Sequence, residues 1–217
     1  MMILKHIFQT GISQIMYNED DCNYIYIATF AFYKEYNKQS VFKFVNEVHR
    51  YNIKERFTLK KLEIAIELRK EGKLKESNKI LISLAKEYPN DPIVNYQCAW
   101  SFDVLGLEVE AVPYYEKAIL IGLPDKELQG AFLGLGSTYR TLGQYEKSKE
   151  VFEQGLAKFT ENKAMKVFYA MTLYNLKEYS KAMEILLYNL AHTSSDENIK
   201  NYRKAIEFYS DKLNEIW

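Results

Sequence analysis

An all-α solenoid of about four helix–turn–helix repeats is the fold this sequence predicts, and three observations carry the prediction. First, four similar turns recur: RKEGKLKES ending at Ser77, DVLGLEVEA ending at Ala111, RTLGQYEKS ending at Ser148 and YNLKEYSKA ending at Ala182. Their turn positions, Gly72, Gly106, Gly143 and Lys177, are spaced by 34, 37 and 34 residues, a period that suits one helical hairpin per repeat. Second, seven residues before each turn stand Ala65, Ala99, Gly136 and Ala170, and five after it Ser77, Ala111, Ser148 and Ala182. All are small, as two helices require where their backbones cross at short range. Third, large residues stand four before the turn (Leu68, Phe102, Tyr139, Leu173) and nine after it (Leu81, Tyr115, Phe152, Leu186). They are placed to fill the space between helices.

The elements follow in order. Residues 1–57 do not fit the frame: with Ala31 at the small position, Lys43 falls where the second small residue belongs. Two helices are expected there, Tyr24 to Tyr36 and Ser40 to Tyr51, as an N-terminal helical extension; the β-favouring composition of 24–33 leaves a strand as the lesser alternative. Repeats are expected over 58–91, 92–128, 129–162 and 163–195. Pro113 falls about one turn into the second helix of the second unit, where it should bend that helix or delay its start. Residues 196–217 are expected as a C-terminal capping helix, with Ile199, Tyr202, Ile206, Tyr209 and Leu213 on one face and Ser194 with Glu197 at capping-box spacing.

With these positions in hand, residues 58 to about 195 resemble four tetratricopeptide repeat (TPR) units, LGSTYRTLGQYEKSKEVFEQGL (135–156) coming closest to the family pattern. The wider stretch 59–217 is similar to small bacterial TPR proteins with one short array and a terminal helix. The chain departs from the pattern where Lys61, Asn95 and Lys166 stand in place of an aromatic that Phe132 alone supplies, and where only Pro89 keeps the loop proline. The resemblance implies a right-handed superhelix whose first helices line a groove. It points Leu59, Leu62, Ile66 and Arg69 into that groove, then Ile93, Tyr96, Trp100 and Asp103. The third unit contributes Gly130, Leu133, Ser137 and Arg140, and the fourth Ala164, Val167, Met171 and Tyr174.

That lining discriminates among partners. Some TPR domains grip a chaperone's terminal carboxylates through cationic and amide side chains; the matching positions here are Leu62, Ile66, Gln97, Gly130 and Gly134, none of them a cation. The lining carries Tyr96, Trp100, Leu133, Met171 and Tyr174, with Arg69 and Arg140 as isolated charges. It suits an apolar or aromatic peptide or helix from a protein partner, with Trp100 and Tyr96 as anchors. The alternative is a self-associating structural protein, a homodimer or a chain whose groove its own N-terminal region covers.

Other functions find little support. Lys plus Arg and Asp plus Glu number 29 each, which removes the electrostatic basis for a nucleic-acid binder. The excess of eleven Lys and Arg over six Glu within 43–79 alternates in sign, as a solvated face does, with an acidic partner or RNA as the sharper alternative. Cys22 and Cys98 match no disulfide or metal spacing, and His6, His49 and His192 are scattered. No metal, cofactor or catalytic residue is expected. The three glycines of GAFLGLG (130–136) lack the order and the preceding strand of a phosphate loop. Cys98 falls on the interior face, where a thiol is inert. The N-terminus lacks the pattern of a signal peptide, and the longest apolar run, 24–33, is about half of a membrane span. A cytoplasmic, non-enzymatic protein with no membrane partner is expected.

Overall fold

A computed structural model of the chain describes Asn46 and residues 57–216. Apart from Asn46, which is helical, the two helices expected within 24–51 lie outside the described residues. The chain divides into two units between Thr58 and Leu59, and the second holds the repeats. Its helices are α1 (residues 57–70), α2 (Leu74–Glu87), α3 (Pro92–Asp103), α4 (Glu108–Ile121), α5 (Asp125–Thr141), α6 (Tyr145–Lys158), α7 (Lys163–Asn175), α8 (Tyr179–Thr193), α9 (Glu197–Asn201) and α10 (Arg203–Tyr209). Among the described residues there is no strand.

Four hairpins, α1–α2 to α7–α8, are closed by one repeated turn. Gly72, Gly106 and Gly143 have φ of 80°, 71° and 72°, and Lys177 has φ of 66°, the left-handed region that ends helices. In each turn the following residue donates its backbone N–H to the large residue five positions earlier: Lys73 to Leu68 (2.8 Å), Leu107 to Phe102 (3.1 Å), Gln144 to Tyr139 (2.9 Å) and Glu178 to Leu173 (2.9 Å). This is the Schellman arrangement, and it satisfies carbonyls that a helix end otherwise leaves open. Asp91 and Asn162 cap α3 and α7 by accepting from the backbone of Val94 (3.0 Å) and Met165 (2.9 Å). The buried Asn95, standing where an aromatic was expected, donates to the carbonyls of Pro89 (3.0 Å) and Asp91 (2.7 Å) and so ties the inter-hairpin loop.

The crossing residues are all buried. Where the second of each small pair is serine, its hydroxyl donates to the carbonyl of the first: Ser77 to Ala65 (2.6 Å) and Ser148 to Gly136 (2.7 Å). The other two hairpins carry alanine there and need no such bond. Glycines admit aromatic rings from neighbouring helices. A side chain on Gly136 would meet the Phe152 ring, and one on Gly134 the Tyr115 ring. The main core joins hairpins one to three and reaches Met165, Phe168 and Tyr169 of α7; Ala170, Leu173 and Ala182 form a second cluster in the fourth hairpin.

Three details differ from expectation. The extra three residues of the 37-residue spacing lie in α5, which begins at Asp125, while the loop before it shortens to Gly122, Leu123 and Pro124. Buried Leu123 and Leu128 extend the core to that added turn. Pro113 does not delay α4, which starts two residues after its turn glycine as α2 and α6 do; its side chain points to solvent. The C-terminal segment is not one helix. It breaks at Tyr202 (φ −98°, ψ 7°) into α9 and α10, and helix ends at Tyr209. A continuous helix of that segment would run about 33 Å against about 22 Å for α8, and the break lets α10 return against α8. There Glu207 meets His192 (3.3 Å) and Asn214 donates to Ser180 (2.9 Å). The N-cap is Asp196, which accepts from the backbone of Asn198 and Ile199, not Ser194, whose hydroxyl accepts from Asp196.

Candidate partner-binding face

The first helices of successive hairpins touch one another, α3 with α5 and α5 with α7, whereas second helices pack on the first helices beside them and, at the end of the array, α8 packs on α10. First helices therefore line the inside of the curve. α3 sits deepest: from Val94 to Phe102 every residue is buried except Trp100, which is 42% exposed. An indole in the open on an otherwise buried helix is the main feature of this face.

Its neighbours hold it in place. The Arg69 guanidinium lies 3.9 Å from the Trp100 ring centroid, a cation–π contact. Gln97 fixes that guanidinium by accepting from it through Oε1 (2.5 Å) and its backbone carbonyl (3.4 Å). Burial lowers the Arg69 pKa from its ordinary value. Tyr96 packs 6.0 Å from Trp100 and 6.2 Å from Tyr115, centroid to centroid. Its hydroxyl occupies the space above Gly130. Tyr96 and Leu62, expected on the open lining, are each 8% exposed and belong to the core. Burial raises the Tyr96 phenol pKa.

Asp103 is also committed internally. It accepts from the Tyr115 hydroxyl (2.7 Å) and the Thr138 hydroxyl (2.9 Å), linking α3, α4 and α5. Burial raises its carboxyl pKa, and those two hydrogen bonds oppose the shift. Arg140 reaches across to α7, where Nη1 donates to Asn175 Oδ1 (3.3 Å). Ile66 and Leu133 are half-buried against the core. Met171 and Tyr174 stand open, 39% and 63% exposed, and Tyr174 meets Tyr179 edge to face at 5.0 Å.

Of the expected lining residues, the structure gathers Arg69, Tyr96 and Trp100 into one cluster. Met171 and Tyr174 form a second open patch two first helices away, and Arg140 stands between the two. Sequence reasoning missed Gln97, Tyr115, Thr138 and Asn175 as the groups that orient Arg69, Asp103 and Arg140. Gly130 and Gly134 were the available signal, since a glycine inside a helix marks a position that a neighbour's large side chain fills. Cys98 is fully buried, and its thiol is pushed up to about 12, chiefly by burial. No His/Cys/Asp/Glu cluster able to hold a metal ion occurs among the described residues. Nor is any described helix long and apolar enough to cross a membrane.

A family model described as Tetratrico peptide repeat matches residues 92–213, more than half of the chain. The chain belongs to the tetratricopeptide repeat family. Solved structures share its fold over 69% to 76% of the chain. MamA from Desulfovibrio magneticus RS-1 superposes with a TM-score of 0.57 at 17% identity, over 70% of this chain and 88% of that one. YrrB, titled a TPR protein with an unusual peptide-binding site, gives 0.51 at 14% identity, over 76% and 93%. A chain of the APC/C hetero-tetramer Cut9–Hcn1 gives 0.58 at 19% identity over 69% of this chain. This chain spans 29% of that chain's length. At such identities the likeness is one of fold. No curated protein sequence matches the chain significantly.

Proposed function

We propose that this TPR array is a non-enzymatic, cytoplasmic interaction module whose inner face takes an apolar or aromatic segment of a protein partner, with Trp100 as the principal anchor. The observation that carries the reading is Trp100 itself: an indole open to solvent, on a helix otherwise buried, and held by Arg69 and Tyr96. A ring held this way loses little freedom when a partner covers it, which favours binding. Tryptophan and arginine are also the residue types that dominate interface energetics. Met171 and Tyr174 offer a second apolar contact farther along the same face. The TPR family consists largely of protein- and peptide-binding scaffolds, and YrrB's described peptide-binding site is consistent with the reading.

The test is affinity capture from native cytosol with wild type and Trp100→Ala side by side. Loss of the anchor should weaken a captured partner by about 2 kcal/mol or more. Equal retention by the two proteins rejects the assignment. Sedimentation supplies the contrary outcome: a dimer in which quencher cannot reach Trp100 favours the self-associating homodimer instead.

A further inference from the structure

Two arginines occupy the same repeat position, three residues before a turn residue: Arg69 before Gly72 and Arg140 before Gly143. Their surroundings differ because the next hairpin differs. Nine residues before its own turn, the hairpin after Arg69 offers Gln97, which accepts from the guanidinium; six before, it offers Trp100, which stacks on it. At those two positions the hairpin after Arg140 carries Phe168 and Met171, neither of which can accept a hydrogen bond from a guanidinium well. Arg140 is left with one long hydrogen bond to Asn175, and its Nε is buried with no acceptor among the described residues. No carboxylate among the described residues pairs with it.

A guanidinium half-withdrawn from water and short of acceptors is an anion site in waiting, because a full negative charge on its open side meets little competing solvation. By the repeat, Met171 holds on α7 the position that Trp100, stacked on Arg69, holds on α3, and Tyr174 follows it by three residues; both are exposed. We infer that Arg140 receives the carboxylate of an internal Glu or Asp in the partner segment. The inference rests on the reading that this face binds a peptide. The acidic residue is internal because Arg140, on α5, lies between the Trp100 anchor on α3 and the Met171–Tyr174 patch on α7. A segment that reaches both patches continues past Arg140 in each direction. With neighbouring first helices about 10 Å apart, the two patches span about 20 Å, or about six residues of extended chain. The position lies outside the carboxylate-clamp register, which holds no cation in this chain.

A random dodecapeptide display library selected separately on the full-length wild type, Arg140→Gln and Arg140→Glu tests this. The wild-type pool is expected to be rich in peptides pairing an aromatic or apolar anchor with Asp or Glu a few residues away. The Arg140→Gln pool should keep the anchor while acidic residues fall to the library's own frequency, and Arg140→Glu should favour Lys or Arg. In one wild-type-selected peptide, Glu replaced by Gln should bind wild type about tenfold more weakly, the loss of one charge-assisted hydrogen bond, and bind Arg140→Gln unchanged. A wild-type pool with the anchor and no acidic preference overturns the inference while leaving the binding face intact; so does equal acidic frequency in the wild-type and Arg140→Gln pools. A pool without an aromatic or apolar anchor, or without binders, overturns both readings. Where a variant is unstable, the wild-type pool alone still overturns the inference if it shows no acidic preference.

Discussion

The Tyr115 ring fills the space in which a side chain on Gly134 would begin: its Cζ lies 2.5 Å from where a Cβ on that glycine would stand. Tyr115 is almost completely buried, and its hydroxyl is tethered to Asp103 at 2.7 Å. The ring has no room to retreat. Alpha-helix α5 therefore keeps a glycine in its interior against its own helical preference.

Gly134→Ala is accordingly expected to destabilise the protein. Alanine gains up to ~1 kcal/mol in helix propensity, but overpacking a filled site costs roughly 1–3 kcal/mol. The expected net loss is about 1 kcal/mol, read from urea denaturation. A variant as stable as wild type would show that the ring can move aside. Tyr115→Phe removes the hydroxyl, which is both the tether and the atom nearest to that Cβ, so Gly134→Ala should cost less in a Tyr115→Phe background.

Lys177 is the one turn residue of the four that is not glycine, yet it takes the same left-handed backbone, at φ of 66°. A residue with a side chain is disfavoured there by about 1 kcal/mol. Lys177→Gly should raise the thermal midpoint, a gain set against the extra chain entropy that glycine carries when unfolded. Calorimetry checks the sign. A lower midpoint would mean that the Lys177 side chain contributes more than its backbone costs.

Cys98 gives a pH dependence of known sign. Burial favours its neutral thiol and lifts its pKa from 9.0 to about 12. A raised folded-state pKa means that this contribution to stability is whole below pH 9.0, where folded and unfolded thiols are both protonated. It is lost as pH rises from 9.0 towards about 12. Near neutral pH, a Cys22→Ser protein should react with thiol reagents only when unfolded. Its stability should fall across that alkaline window more steeply than that of a Cys22→Ser/Cys98→Ala protein. Fast labelling of the folded protein would contradict the burial.

How far the sequence could be read depended on what each residue answers to. The turns were legible because only glycine adopts a left-handed backbone freely, so Gly72, Gly106 and Gly143 mark themselves. Lys177 was recovered by spacing alone. The crossing residues were legible because contact between backbones excludes anything large. Depth on the inner face was not legible. Repeat position says which way a side chain leaves its helix, and that much placed Tyr96 and Trp100 on one side. Whether a neighbour covers the side chain is decided a repeat away: Gly130 makes room for Tyr96, and nothing does so for Trp100. The same distance hid the tie between Asp103 and Thr138. The break at Tyr202 lay beyond the reach of the period, since the residues after Thr193 have no repeat to be compared with.

The added turn of α5 sets the shape of the inner face. Its four residues, Asp125 to Leu128, carry α5 about 6 Å past the point where α3 and α7 begin, and Lys158 braces Asp125 at 2.8 Å. One margin of the face is thus raised into a kerb, while the opposite margin, where Arg69, Asp103, Arg140 and Asn175 end their helices, stays level. On the function proposed above, an elongated ligand is expected to run along the level side, away from the kerb, so that the length of a single helix would set its direction of approach.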